Sequence, residues 1–313
     1  RHTRLQGDWS SDVCSSDLKM FKNLSRSLLV LLISFSVNAA DTVPVNAEMG
    51  KPGQPTRVPK ESEFKVCADQ NNLPYSNDKS EGFENKIAEV LAKDLGKELS
   101  YQFWHDRFGF LRNTLNAKRC DVVIGTNTTY DALNTTKPYY RAGHVWIYRK
   151  DSGYDIKTWD SPDLKKGVIG LADKSPVTQA LSSNGLMANA RPYRIQRDLT
   201  KSPGEPVEDV ASGKIDVAIM WGPLGGYYAK QSDADLVVVP IPEYSKGNRR
   251  LQGKTYWNIS AGVRRREDDR RQMVEEAITR NLDKIYAIMD EYGIPHTKPI
   301  FADRLDGYKR HKN

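Results

Sequence analysis

Apolar residues in this chain fall into short runs, and one of them nearly repeats: "AKRCDVVIG" at Ala117 to Gly125 returns as "SGKIDVAIM" at Ser212 to Met220. Each copy follows a segment with helical spacing, Phe110 to Asn116 and Val207 to Ala211, and continues through a basic turn and an Asp into a Val/Ile/Ala run. Short apolar runs fed by helices and bounded by turn residues predict buried parallel strands. Two copies predict two similar α/β halves.

The flanking pattern extends both halves. "FKVCAD" from Phe64 predicts a strand, followed by the polar loop "QNNLPYSNDKSEG". In "FENKIAEVLAKDLG" the residues Ile87, Val90, Leu91 and Leu95 share one helical face, and Gly96 supplies the stop. "LSYQFW", "FGFLRNTLNA" and "CDVVIGT" then complete a β-α-β-α-β, doubly wound unit. The second half starts with the strand "GVIGLA" and a helix with Ser175 as N-cap and Pro176 at its first position. "RPYRIQ", the Val207 to Ala211 helix, "DVAIMWG" and "DLVVVPI" follow.

"TYWNISAGVRR" predicts a strand returning to the first half. One long closing helix then carries Met273, Val274, Ala277, Ile278, Leu282, Ile285 and Ile288 at helical spacing. Crossings near 150–160 and 245–256 make a double hinge, which allows closure around a cleft. The predicted boundaries are residues 64–152 with 255–313 for lobe one and 153–254 for lobe two. Residues 41–63, rich in Pro, Gly and charge without a period, predict a flexible arm.

The N-terminal residues belong to neither half. From Met20, basic Lys22 and Arg26 precede an apolar run from Leu28 to Val37 and a small-residue end, which predicts a signal peptide over 20–40 cleaved after Ala39 or Ala40. That run is too short for a comfortable membrane span, so no stable span is expected. Residues 1–19, with the core "GDWSSDVCSSDL", resemble translated sequencing-adapter sequence and are treated as an artefact, so Cys14 carries no weight.

Charge and cysteines add little to this picture and exclude some of the alternatives. The 313-residue chain has a formal charge of +7, which falls to +5 without residues 1–40. With no clustered basic and aromatic face, nucleic acid is not an expected partner. Export places Cys67 and Cys120 where disulfides persist. Each opens a predicted strand, so they are either a bridged pair on neighbouring strands or two buried thiols.

The layout resembles the type-2 periplasmic solute-binding proteins. The resemblance is carried by "LPYSN" with "EGFENKIAEVLAKDLG", by "DVVIGT" with "TTKPYY", and by "VEDVASGKIDVAIM". In amino-acid-binding members an Arg after the third strand holds the ligand carboxylate, and an Asp at the end of the repeated second-half strand meets its ammonium. Here Ala132, in a shortened loop, and Trp221 stand at those places. Burying a zwitterion without either clamp costs several kcal/mol, about 3–5 for an unpaired charge, so ordinary amino acids are not the expected ligand.

"VCADQNNLPYSN", "RCDVVIGT", "TTKPYYRAGHVW" and "NLDKIYAIMDEYGIP" further resemble the MoxJ/XoxJ family, solute-binding-like proteins associated with quinoprotein methanol dehydrogenases. That resemblance implies a noncatalytic periplasmic accessory protein whose partner is a PQQ-dependent methanol dehydrogenase. A receptor passing a neutral or unusual small solute to an ABC transporter is the alternative.

No C-x-x-C-H, H-E-x-x-H or paired catalytic carboxylates are present, so no metal, cofactor or enzymatic role is expected. Loops at strand carboxyl ends predict a neutral, hydrogen-bonding cleft with an aromatic wall, lined by Asn71, Asn72, Tyr75, Asn77, Thr126, Asn127, Thr128 and Trp221. The bland alternative is that the Asn residues merely close turns and Trp221 packs between lobes.

"YSKGNRRLQGK", with Lys246, Arg249, Arg250 and Lys254, is either a partner-facing loop or a solvated connection. Phe103, Trp104, Phe108 and Phe110 in "FWHDRFGF" are either core or a docking patch. "RRREDDRR" mixes both signs at a helix start and reads as surface.

Overall fold

A short apolar run becomes a stable parallel strand only where neighbours cover both of its faces, and the computed structural model shows how each run is covered. It describes residues 47–49, 58–106, 109–195, 200–243 and 255–300. The signal-peptide segment, Lys246, Arg249, Arg250, Lys254 and Phe108 lie outside the described residues.

The chain runs through β1 (Ala47–Met49), β2 (Glu63–Ala68), a hairpin of β3 (Asn71–Asn72) and β4 (Ser76–Asn77), α1 (Phe83–Asp94) and β5 (Glu98–Phe103). Next come α2 (Phe110–Asn113), β6 (Val123–Asn127), β7 (Asn134–Thr135) and the long β8 (Tyr140–Arg149). β9 (Ile169–Ala172), α3 (Thr178–Ser183), β10 (Ala190–Tyr193), α4 (Glu205–Ala211), β11 (Val217–Trp221), α5 (Gly222–Gln231) and β12 (Leu236–Pro240) follow. β13 (Tyr256–Val263), α6 (Asp268–Arg280) and α7 (Leu282–Glu291) close the described chain.

In lobe one β5 lies between β1 and β2, all parallel. A parallel bridge between Val66 and Val122 carries β2 toward β6. Phe64, Val66, Phe83, Ile87 and Leu91 form its core with Val274, Ala277, Ile278 and Ile285 from α6 and α7. In lobe two β10, β9 and β11 are parallel, and β8 runs antiparallel to β11 and β12. One face of that sheet is covered by a cluster around Trp146, Trp159 and Leu181, and the other by one around Ile147, Val207 and Val210.

The repeat marks the same construction in both lobes. Asp121 donates its backbone N–H to Lys65 O at 2.7 Å, and its carboxylate accepts from Lys65 N at 3.4 Å. Asp216 does the same with Val168, through its N–H at 3.1 Å and its carboxylate at 2.7 Å. Each Asp therefore locks the start of one parallel strand onto the next.

Several elements differ from the sequence pattern. Ala47–Met49, expected in the loose arm, pairs with Tyr101 to Phe103, because three residues are too few to show a strand period. The first crossing is not near 150–160: β8 changes partner from β13 at Gly143 to β11 at His144. The helix expected from Phe110 to Asn116 stops at Asn113, where Thr114 Oγ1 turns back to Phe110 O at 2.7 Å.

Ser175 forms a turn, accepting from Thr178 N through its carbonyl, so α3 begins two residues after Pro176. The closing helix breaks at Asn281, whose side chain donates to Ala277 O at 2.9 Å. The helix Gly222–Gln231 had no signal, since three glycines weaken its propensity. Two of them are needed for close approach, because a Cβ on Gly222 or Gly226 would overlap the carbonyl of Gly143 or Gly293.

"RRREDDRR" is not all surface. Arg264, only slightly exposed, donates to Leu115 O at 3.1 Å and to Cys120 O, and reaches Asp121 at 3.4 Å. Arg270 pairs with the same Asp121 at 2.9 Å.

Candidate functional site: a cleft between the lobes

Strand carboxyl ends converge on a cleft of about 980 Å³ between the two lobes. From lobe one come the end of β2 with Asp69, the following loop with Asn72 and Tyr75, the first turn of α1 with Glu84, and the end of β6 with Thr126 and Asn127. From lobe two comes Trp221 at the end of β11, while His144 enters where β8 passes between lobes. Trp221 lies within hydrogen-bonding reach of the Tyr75 phenol, and the Tyr228 hydroxyl donates to Leu73 O at 3.5 Å, so the lobes touch along one side.

Asn72, Tyr75, Thr126, Asn127 and Trp221 line the cleft, as does Ala132. Asn71, Asn77 and Thr128 do not. Asn71 is exposed and pairs with Asn77 across the β3–β4 hairpin. Asn77 is buried, accepts from Glu81 N at 2.8 Å and donates to Glu81 Oε2 at 2.7 Å. Thr128 Oγ1 donates to Asn258 O at 2.9 Å. The side chains of Asn77 and Thr128 are thus occupied by protein partners, which compete with any ligand for the same polar atoms.

Phe103 is core, Trp104 is half-buried, and Phe110 lines the cleft. Cys67 and Cys120 form a disulfide with a Cα–Cα distance of 5.4 Å. It ties the root of the Asp69–Tyr75 loop to the root of the β6 end, and Cys67 itself borders the cleft. Linking positions 53 residues apart contributes about 2–4 kcal/mol.

The cleft is not neutral, contrary to the sequence reading. Asp69, Glu84 and Asp106 line it, with the exposed Arg112 at its rim. Burial, then the charge of Asp106, pushes the Glu84 carboxyl up to about 8. Its side chain has no hydrogen-bond partner among the described residues. Gly125 makes room for it, since a Cβ there would overlap Glu84 Oε1. Burial, then the nearby Glu84, raises the Tyr75 phenol, and burial with Tyr139 and Glu84 raises Tyr140.

His144 is 5% exposed and packs between Trp221 and Trp257, with ring centroids 5.5 and 5.8 Å away. Its Nδ1 lies 3.2 Å from Thr255 O, an acceptor, which places the proton on Nδ1. Burial lowers its pKa to about 4, against the opposing effect of that carbonyl. The ring of this cleft-lining residue is therefore neutral near pH 7, and its Nε2 carries a lone pair.

Glu84 escaped the sequence reading because an acidic residue in a first helical turn already has a reason to be there, the helix dipole. His144 sits in "YRAGHVWIYR", an unbroken run that gives no sign of where β8 leaves one lobe for the other. Among the described residues no cluster of His, Cys, Asp and Glu is arranged to hold a metal ion, and no helix is long and apolar enough to cross a membrane.

The bacterial extracellular solute-binding proteins, family 3, match this sequence over residues 64–293. The chain belongs to that family. It is 27% identical over 289 residues to protein MoxJ of Methylorubrum extorquens, covering 88% of this chain and 96% of that protein. The crystal structure of MxaJ from Methlophaga aminisulfidivorans superposes with a TM-score of 0.67 at 29% identity, over 75% of this chain and all of that one. The periplasmic binding protein XoxJ of Methylobacterium extorquens superposes with a TM-score of 0.62 at 33% identity, over 75% and 100% of the two chains. The type-2 periplasmic binding fold of two α/β lobes is thus the family's own.

Proposed function

We propose that this protein is a noncatalytic periplasmic accessory factor of a PQQ-dependent methanol dehydrogenase, acting in the enzyme's maturation or activation on a solute-binding scaffold. The observation that carries this reading is similarity to MoxJ over 88% of this chain and to the MxaJ and XoxJ structures over 75% of it. It is supported by a cleft in which Ala132 and Trp221 stand where amino-acid receptors carry their charged clamps. On this reading the contacts with the dehydrogenase lie on the outer surface, and the segment with Lys246, Arg249, Arg250 and Lys254 is the first place to look for them.

Native mass spectrometry of the purified protein with a purified quinoprotein methanol dehydrogenase tests the assignment. A stoichiometric complex that dissociates with added salt is expected if the basic segment takes part. Absence of any complex, together with no effect on reconstitution of the apo-dehydrogenase, rejects it. A second reading, a transport receptor for a small solute, is favoured by the open cleft of about 980 Å³. A small molecule retained on the purified protein without any dehydrogenase complex decides for that one.

A further inference from the structure

The cleft has an acceptor bias that the loss of the amino-acid clamps does not explain. Two polar groups of its lining have no hydrogen-bond partner among the described residues: the half-buried Glu84 carboxyl, which accepts once it is ionised, and the Nε2 of the buried His144. The Asp69 and Asp106 carboxylates lie on the same lobe-one side, and Asp106 is close enough for its charge to act on Glu84. The one cationic side chain among the described lining residues, Arg112, is exposed. The aromatic residues Tyr75, Tyr140 and Trp221 also line the cleft, and aromatic rings attract cations.

A ligand suited to this set has positive charge, hydrogen-bond donors and an apolar body, and lacks a carboxylate, which would meet three acidic side chains. We propose that the cleft is a binding site for a small organic ammonium ion bearing N–H donors, held by the Glu84 carboxylate and His144 Nε2 between Tyr75, Tyr140 and Trp221. Neutral His144 has a specific part in this. With Nδ1–H committed to Thr255 O, its Nε2 can only accept, so it selects an N–H over a quaternary nitrogen.

Binding and protonation are linked. In the empty cleft Glu84 titrates at about 8, among Asp106, Asp69, Arg112 and the phenols of Tyr75, Tyr139 and Tyr140. A bound cation favours the carboxylate, so binding near neutral pH releases a proton. Affinity then rises about tenfold per pH unit below about 8 and levels off above it.

This proposal stands independently of the dehydrogenase assignment, and its test contains no dehydrogenase. The purified protein is titrated calorimetrically with n-butylammonium chloride, tetramethylammonium chloride, sodium butyrate and glycine at matched ionic strength. Saturable binding of butylammonium is expected, at least tenfold tighter than tetramethylammonium, with proton release seen as a dependence on buffer ionisation heat. Butyrate and glycine give no saturable heat.

Glu84→Gln, which removes the charge from a side chain with no hydrogen-bond partner, is expected to weaken butylammonium at least tenfold and abolish the pH dependence, with an unchanged circular dichroism spectrum. Absence of butylammonium binding in the millimolar range at about pH 8, equal affinity for tetramethylammonium, or wild-type binding by a folded Glu84→Gln variant each overturns the proposal.

Discussion

The two copies of the repeat use one backbone device in different surroundings. Asp121 is 2% exposed, follows a disulfide-bonded Cys120, and receives Arg270 and Arg264 from the other end of the chain. Burial raises its pKa, opposed by Arg270, Arg264 and the Lys65 N–H. Asp216 is half-buried, makes its strand contact to Val168 and a side-chain hydrogen bond with Tyr154, and has no arginine partner among the described residues. In lobe one the device is therefore a junction of strand, disulfide and C-terminal segment, whereas in lobe two it is a local clasp. The same sequence motif has an energetic weight set by what folds over it.

The cleft has the same asymmetry. Lobe one supplies the carboxylates, with Asp69 on the loop that follows the disulfide-bonded strand and Glu84 in the first turn of α1, and lobe two supplies Trp221 on a strand end.

Breaking the buried junction has the largest expected effect. Asp121→Ala removes at one stroke a buried carboxylate shared by Lys65 N–H, Arg264 and Arg270, with Glu267 left as the remaining acid for both arginines, and is expected to cost about 3–5 kcal/mol in urea denaturation, at about 1.5–3 for each charged hydrogen bond lost. Replacing both Cys67 and Cys120 by Ser is expected to cost about 2–4 kcal/mol, and dithiothreitol should lower the wild-type transition by the same amount while leaving the double variant unmoved.

Asp216→Ala, the matched substitution in lobe two, removes the contact to Val168 N–H and a partly exposed one to the Tyr154 hydroxyl, and is expected to cost about 1.5–3 kcal/mol. Equal losses from Asp121→Ala and Asp216→Ala would erase the distinction drawn between the two copies.

The smallest effect is in the pH dependence of melting, since the cleft is open to water that screens its charges. Glu84 has a folded pKa raised from 4.5 to about 8, so its contribution is full below about 4.5 and is lost as pH rises toward 8. His144 has a folded pKa lowered from 6.5 to about 4, so its contribution is present above 6.5 and is lost as pH falls toward 4. Melting temperatures of Glu84→Gln and His144→Phe should each lose their own limb of the profile, Glu84→Gln the fall between about 4.5 and 8 and His144→Phe the fall from 6.5 toward 4.

Much of the fold is legible along the chain because its strands and main helices are governed by local periodicity. The α1 pattern predicts the buried Ile87 and Leu91, and the repeat predicts β6 and β11. Of the predicted cleft residues, Tyr75 and Trp221 face the cavity, whereas Asn77 and Thr128 are bound to nearby backbone and side chains. An Asn or Thr at a strand end looks the same in sequence in either role, because the same side-chain atoms can serve a turn or a ligand.

Residue type and spacing along the chain suffice for the two α/β units and for the strands that end at the cleft, because each depends on local periodicity. Only the tertiary structure decided the acidic character of the cleft, the neutral acceptor form of His144, and the joining of Asp121 to Arg264 and Arg270. Those depend on burial and on distances between residues up to about 150 positions apart in the chain, and no local pattern carries that information.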